Sequence, residues 1–327
     1  MKRWKRILSL AMAAAAVTGM LAAPAQAAGT YEDFADKGEI QNTEAVAAMV
    51  TLGVISGKED GSRFDPNGTV TRAEMAKMIS VCLNGGKDPA VGSGVTAQFD
   101  DIRGSWAEGY IAYCTNLGII SGRGDGTFGP EDPVTGTVAA KMLLTALGYD
   151  SSLEGLTGAG WELNTDVLAN RTGLYVGLED IVPSADGLTR DEAARMLYNC
   201  VQAGEVSYEE NSGESSGVLY ARDQGSMLAN RFGLLKVTGI AAANEKKRAD
   251  AAYKTTQEGE GRVSVTAVSG FDGVPDGLKD NPVFPVALSD ELLGEEIVLF
   301  VRFADNLAPS AEGAAVVGGP ILVQDEA

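Results

Sequence analysis

The chain has 327 residues, of which 45 are acidic, 26 are basic and none is histidine, so its formal net charge is −19. Such an acidic surface repels nucleic acid and anionic lipid, and we expect neither as a partner. The lack of histidine excludes Ser-His-Asp and Cys-His catalysis and the common mixed zinc sites. We predict no catalytic residue, no metal site and no cofactor.

The first 27 residues are typical of a secretory signal peptide. Four basic residues precede a short apolar run from Ile7 to Ala23, and Ala25-Gln26-Ala27 supplies a small-residue cleavage site. A retained membrane anchor is the alternative, but the run is short and rich in alanine. Cleavage after Ala27 would remove four basic residues and no acidic one, which leaves 45 acidic against 22 basic residues and a charge near −23. We expect an exported protein with no membrane segment after cleavage.

The region that follows begins with one structural unit. Apolar residues spaced by three and four predict a helix over 41–52. The next loop contains Asp60-Gly61, a pair that suits a tight turn. Thr71 followed by Glu74 predicts a capping box at the start of a second helix, over 72–83. The unit is therefore a helix, a loop and a capped helix.

This unit recurs along the chain. Leu52 to Phe64 reads LGVISGKEDGSRF, and Leu117 to Phe128 reads LGIISGRGDGTF, which puts Asp125 at the position of Asp60. A third, eroded copy contains Thr189-Arg190-Asp191-Glu192, 118 residues after Thr71-Arg72-Ala73-Glu74. Repeats of this kind indicate one structural unit used several times.

Two tryptophans and two cysteines also occupy repeat positions. Trp106 and Trp161 each lie 12 residues before the glycine that follows the first helix of their copy. Cys82 and Cys200 lie 118 residues apart, each on the apolar face of a predicted helix. Three cysteines cannot all pair, and buried free thiols are favoured over a disulfide.

The composition changes after residue 203. Residues 204–217 contain four glutamates and no base, which predicts a flexible acidic linker. Residues 227–236 favour a short helix, and four later segments have the alternating or continuously apolar patterns of strands. These strands are predicted at Val237 to Ala242, Arg262 to Val268, Glu296 to Phe303 and Ala315 to Val323. We therefore predict a second, β-rich domain.

These motifs closely resemble S-layer homology domains. The resemblance rests on the entry Phe99-Asp100-Asp101, on Trp106-Ala107, on the LG-[VI]-I-S-G and DG-[ST]-x-F elements, and on TRAE and TRDE. It implies that three motifs, over residues 28–203, form a pseudo-threefold helical bundle. With the β-rich domain predicted above, we expect a mainly α fold followed by a small β-rich domain. The expected divisions are a signal peptide 1–27, motifs 28–88, 97–150 and 158–203, a linker 204–217 and a β-rich domain 218–327.

The family also implies a function. The grooves between its motifs bind secondary cell-wall polymers, often through a pyruvylated amino sugar, and hold exported proteins on the cell wall. Arginine suits such a ligand, because its planar donors pair with a carboxylate. Arg72 and Arg190 lie at helix starts, where free amides also favour an anion. We expect them to act with aromatic and turn residues, namely Trp106, Trp161, Asp60, Gly61 and Asp125.

Structural alternatives exist for both residue types. Without the resemblance, each arginine is more typical of a solvated first turn, and each tryptophan is also typical of core packing. The copies also differ. Copy two has Gly136 in place of the arginine, copy one has Gln41 in place of the tryptophan, and copy three lacks the Asp-Gly-x-x-Phe loop over 181–188. We therefore expect one or two working grooves, with Arg72 and the Asp60-Gly61 loop first and Arg190 second.

Our leading hypothesis is a non-catalytic cell-surface protein of the S-layer type, held non-covalently on the wall, with self-association in a surface layer. The alternative is a wall-anchored enzyme or adhesion module whose activity lies in the β-rich domain. The sequence contains no nucleophile elbow and no cluster of metal ligands that supports an enzyme.

Overall fold

A computed structural model describes residues 30–58, 60–89, 99–178, 186–210, 219–253, 261–271, 274–303, 309–311 and 313–324. The predicted signal peptide lies outside these residues, as does most of the loop over 181–188. None of the helices in the described ranges is long and apolar enough to cross a membrane.

The helices of the described residues follow the repeat. Each copy contributes a first helix, a loop and a second helix, and the second helix of every copy starts after a threonine cap. The capping box predicted at Thr71 and Glu74 is confirmed. The helices are α1 (Thr43–Thr51), α2 (Arg72–Leu83), α3 (Glu108–Asn116), α4 (Gly136–Ala146), α5 (Trp161–Arg171) and α6 (Arg190–Gln202).

A ring of backbone hydrogen bonds joins the three copies just before α2, α4 and α6. The Val70 amide donates to the Leu188 carbonyl at 2.9 Å, Leu188 donates to Val134 at 2.7 Å, and Val134 donates to Val70 at 3.0 Å. All three side chains are buried. The second helix of each copy therefore starts beside the loops of the other two, which is what brings residues of different copies together.

The described strands form two antiparallel sheets. A hairpin pairs β1 (Gly204–Glu210) with β2 (Leu219–Ser226). The larger sheet has the order β5-β4-β3-β6-β7. Its strands are β3 (Leu235–Ala243), β4 (Val263–Ser269), β5 (Val283–Phe284), β6 (Glu296–Arg302) and β7 (Ala315–Leu322).

One face of the larger sheet packs on the helices. Val298, Phe300 and Ile321 belong to the same buried cluster as the helical core, whereas Leu299 and Val301 pack with strands β3 and β4 on the opposite face. The edge strand β7 lies against α1. The sheet and the helices therefore share a core.

The predicted fold class is wrong, because the protein is not mainly α. The described residues are 33% helical and 22% strand, with helices and two antiparallel sheets. Part of the difference comes from residues 204–210, which the sequence predicts as linker and which form β1. Val206 donates its amide to the Leu147 carbonyl at 2.7 Å, and the Tyr208 hydroxyl donates to Glu154 at 2.6 Å. These contacts with Leu147 of the second copy and with Glu154, which follows that copy, hold an acidic segment in a strand.

Two further expectations can be compared with the structure. The helix predicted over 227–236 is limited to the π-helical turn Leu228–Phe232, because Gly233 adopts a positive φ of 64° and β3 begins at Leu235. Cys82 and Cys200 are buried and free, as predicted, and Cys114 is buried and free as well.

Candidate functional site

In the first two copies an aspartate fixes the loop of the repeat. Asp36 accepts hydrogen bonds from the amides of Phe64 and Asp65, both at 2.8 Å. Asp101 does the same for Phe128 and Gly129, at 2.8 and 2.7 Å. Burial acts to raise the pKa of both carboxyls, but these amide hydrogen bonds outweigh it and leave each pKa below its usual value. The loops are therefore held in a defined shape.

Each loop then receives an arginine from a different copy. The Arg72 Nε donates to the Phe128 carbonyl at 3.1 Å, and its Nη2 donates to the Ser121 carbonyl at 2.9 Å. The guanidinium carbon lies 4.3 Å from the centroid of the Phe128 ring. Arg72 is thus brought to the loop that contains Asp125. The predicted pairing of Arg72 with the Asp60-Gly61 loop is wrong, because the second helix of copy one packs on the loop of copy two.

Arg72 lines a groove of about 240 Å³ together with residues of the other two copies. Lys141 comes from α4, and Trp161 is the first residue of α5. The Lys141 ammonium lies 4.9 Å from the centroid of the Trp161 ring. Burial lowers the pKa of Lys141. Arg123 also lines the groove, and it is paired with Asp132.

Arg190 occupies the equivalent position against the loop of copy one. Its Nη2 donates to the Ser56 carbonyl at 2.6 Å, and its guanidinium carbon lies 5.2 Å from the Phe64 ring centroid. The side chain is only 7% exposed, and its buried Nε has no hydrogen-bond partner among the described residues. Arg190 is therefore enclosed more deeply than Arg72, which is half-buried.

The other predicted site residues lie apart from this groove. Asp60 and Asp125 are exposed at loop tips, where each accepts the amide two residues later, at 3.0 and 2.9 Å. They and Gly61 are turn residues by geometry. Trp106 is 56% exposed and lies 6.3 Å from the Tyr110 ring, so it is not a core residue. The structure thus brings Arg72 and Trp161 together, and it separates Trp106 from them.

In the third copy, a different side chain donates the hydrogen bond to the loop carbonyl. The Val176 carbonyl is equivalent to those of Ser56 and Ser121, since each lies three residues after the glycine that follows the first helix. Gly136 replaces arginine at the corresponding helix start. The carbonyl instead accepts from Arg195 Nε at 3.0 Å and from Asn199 Nδ2 at 2.9 Å.

Our prediction of site residues did not include Lys141 or the two aspartates that fix the loops, Asp36 and Asp101. A signal for the lysine exists in the repeat, because a basic residue follows each threonine cap by six positions. These residues are Lys77, Lys141 and Arg195. The signal for the aspartates is their recurrence 65 residues apart, each two residues after the entry phenylalanine of its copy.

Comparisons with known proteins agree with the repeat. The model of the S-layer homology domain matches residues 33–76 and 98–136. The chain is 27% identical over 203 residues to the S-layer protein sap of Bacillus anthracis, a match that covers 59% of this chain and 24% of that protein. It is 24% identical over 275 residues to an S-layer protein of Bacillus licheniformis, covering 82% of this chain and 30% of that one.

A further relative carries the name of an enzyme. The chain is 26% identical over 152 residues to an uncharacterized cell wall amidase of Bacillus anthracis, covering 46% of this chain and 27% of that protein. The chain spans less than a third of the length of each of these three relatives.

The two ranges matched by the family model contain the residues that fix the loops and form the arginine contact. The first matched range contains Asp36 and Arg72, and the second contains Asp101, Ser121 and Phe128. These residues form the aspartate-held loops and the arginine contact that joins copies one and two. The chain contains S-layer homology domains, and together with its S-layer relatives they indicate a secreted, cell-surface protein.

Proposed function

We propose that this protein is a non-catalytic surface anchor that binds secondary cell-wall polysaccharide non-covalently in the Arg72 groove. One observation carries the proposal. Arg72, Lys141 and Trp161 come from the three different copies and line a single groove. Two cations beside an aromatic ring are unusual on a chain whose net charge is −19.

The groove suits an acidic sugar. Two of the five N–H donors of Arg72 are used on the carbonyls of Phe128 and Ser121, which fixes the plane of its guanidinium. The remaining donors are suited to a carboxylate. Lys141 provides a second positive charge, and the Trp161 face offers apolar contact to a pyranose ring. A pyruvylated amino sugar has both required features, a carboxylate and a ring.

Electrostatics favour this groove over the rest of the surface. The global negative field repels an anionic polymer, so binding needs cations placed locally. Arg123 is neutralised by Asp132, which leaves Arg72 and Lys141 as the cations that face the groove without a salt bridge among the described residues. Arg190 is almost fully enclosed, and its part in binding stays a prediction.

Co-sedimentation with wall sacculi tests the proposal. We expect the mature protein to pellet with native sacculi and not with sacculi stripped of secondary polymer. Arg72→Ala and Lys141→Ala should each weaken binding about tenfold, as expected for loss of a charge-assisted contact worth roughly 1.4 kcal/mol. Arg103→Ala and Lys246→Ala are matched controls, since those side chains are 73% and 71% exposed. Equal sedimentation of all variants with both preparations would refute the proposal.

Two other roles are tested on the same protein. The amidase-named relative is the observation that favours an enzyme, and turnover of purified wall by the full mature chain would establish one. We propose self-association in a surface layer instead, which predicts a concentration-dependent mass in analytical ultracentrifugation. The full chain is needed for both assays, because removing the helices would expose Val298, Phe300 and Ile321.

A further inference from the structure

A separate cavity lies in the sheet region, outside the three repeat copies. It has a volume of about 470 Å³, which is typical of sites for small ligands. The residues that line it in the described ranges come from the segments around β4, β5 and the start of β7. They are Arg262, Val283, Pro285, Ala311, Gly313 and Ala314. None of them belongs to a helix of the repeat, so this cavity is distinct from the grooves between copies.

Paired strands and a core residue fix the walls of the cavity. The register of β4 on β5 pairs Val263 with Phe284, and both side chains are fully buried. This pairing holds Arg262, the residue before Val263, beside the edge strand β5. On the other side, Ala314 is 8% exposed and belongs to the buried cluster on the face of the sheet opposite the helices.

Arg262 is the cation of this cavity, and its donors are unused within the described residues. The sheet region, residues 204–324, contains four other described arginines, each of which forms an ion pair or donates to a backbone carbonyl. They are Arg222, Arg231, Arg248 and Arg302. Arg262 is exposed and forms neither kind of contact with the part of the chain that is described. A guanidinium with free donors, on a chain whose net charge is −19, suits a carboxylate ligand.

The other lining side chains indicate the chemistry of the rest of the ligand. Those of Val283, Pro285, Ala311 and Ala314 offer only methyl and methylene groups. Among the described lining residues, Arg262 alone has a side chain that can form hydrogen bonds. A pyranose presents several hydroxyl groups, and leaving these without partners on binding costs free energy. The cavity therefore suits a ligand with small apolar groups and one carboxylate, and it does not suit a sugar.

We propose that this cavity binds the free carboxyl end of a short peptide with small apolar side chains, such as alanine. Arg262 pairs with the terminal carboxylate, and the methyl groups of the peptide pack on Val283, Ala311 and Ala314. The inference is independent of polysaccharide binding, because no residue of the Arg72 groove contributes to this cavity. It gives the sheet a ligand of its own.

Calorimetric titration of the full mature chain with acetyl-Ala-Ala-Ala tests this inference. We expect binding that weakens at least tenfold when the terminal carboxylate of the peptide is replaced by an amide. Arg262→Gln should cause a loss of similar size, whereas Arg262→Lys should keep part of the affinity because it keeps the charge. Arg103→Gln is the matched control, since that side chain is 73% exposed, and it should bind as wild type does. Peptides of D-alanine and of L-alanine then distinguish a wall peptide from the end of a protein chain.

Ala311→Leu is a second variant that leaves the arginine in place. Ala311 is half-buried at the cavity wall, so a larger side chain there should fill part of the space and weaken peptide binding. Equal binding of the carboxylate and amide peptides, unchanged affinity in both Arg262→Gln and Ala311→Leu, or no binding by the wild type would each overturn the inference. Arg72→Ala should leave the peptide titration unchanged, so a failure of the polysaccharide proposal would be seen separately, by co-sedimentation.

Discussion

The loops of copies one and two have the same parts but different surroundings. In each, an aspartate clamps two amides and a pair of phenylalanines packs at similar geometry, with ring centroids 5.6 Å apart in copy one and 5.5 Å in copy two. In each, an arginine from another copy binds a loop carbonyl. Yet Asp36 and Arg190 are both 7% exposed, whereas Asp101 is exposed and Arg72 is half-buried beside a groove.

This difference indicates two uses of one motif. A guanidinium enclosed on all sides contributes to stability, because its hydrogen bond and its packing on Phe64 join two copies. A guanidinium at a groove keeps donors for a ligand. We therefore propose that the same TRAE-like sequence serves cohesion at Arg190 and binding at Arg72. The following predictions test this division.

The largest expected effect is the loss of stability on replacing the aspartates that fix the loops, Asp36 and Asp101. Asp36→Ala leaves the Phe64 and Asp65 amides without their acceptor in a buried site, so we expect a loss of about 3 kcal/mol in the free energy of unfolding. Asp101→Ala should lose about 1 kcal/mol, because water reaches that site. Denaturant unfolding measures both. Equal losses would mean that burial does not separate the two loops.

The second prediction concerns the arginines. Arg190→Ala should lower the free energy of unfolding by about 2 kcal/mol, and Arg72→Ala by about 1 kcal/mol, since charged hydrogen bonds are worth more when buried. Wall binding should show the reverse order, with the larger loss for Arg72→Ala. Unfolding curves and co-sedimentation on the same samples rank the two variants by loss of stability and by loss of wall binding. If Arg190→Ala is as stable as wild type and binds less, Arg190 is a binding residue after all.

The smallest effect is on acid stability. The pKa of Asp36 lies below its usual value in the folded protein, so its contribution is present above the unfolded pKa of about 3.9 and is lost as the pH falls through the folded pKa. The free energy of unfolding of Asp36→Asn should therefore fall less steeply than that of wild type below about pH 4. Denaturant unfolding at a series of pH values measures the two slopes. Parallel slopes would contradict the role of the ionised carboxylate.

Local sequence determined much of the helical part. Helix α2 has the bounds predicted from its cap and apolar stripe, and α1 differs by two residues at its start and one at its end. Four of the described strands, β3, β4, β6 and β7, lie within one or two residues of their predicted positions. These signals are local, because capping and side-chain periodicity act over a few residues.

The sequence by itself determined the repeat and its resemblance to S-layer homology domains, and it singled out Arg72 as a candidate, since these depend on residue identity and spacing. Only the tertiary structure decided which loop Arg72 contacts, that Lys141 and Trp161 share its groove, and that an acidic segment forms β1. It also decided that the sheet packs on the helices. The physical reason is that each of these depends on contacts between residues far apart in the chain, and one repeat in isolation carries no information about which neighbour it packs against.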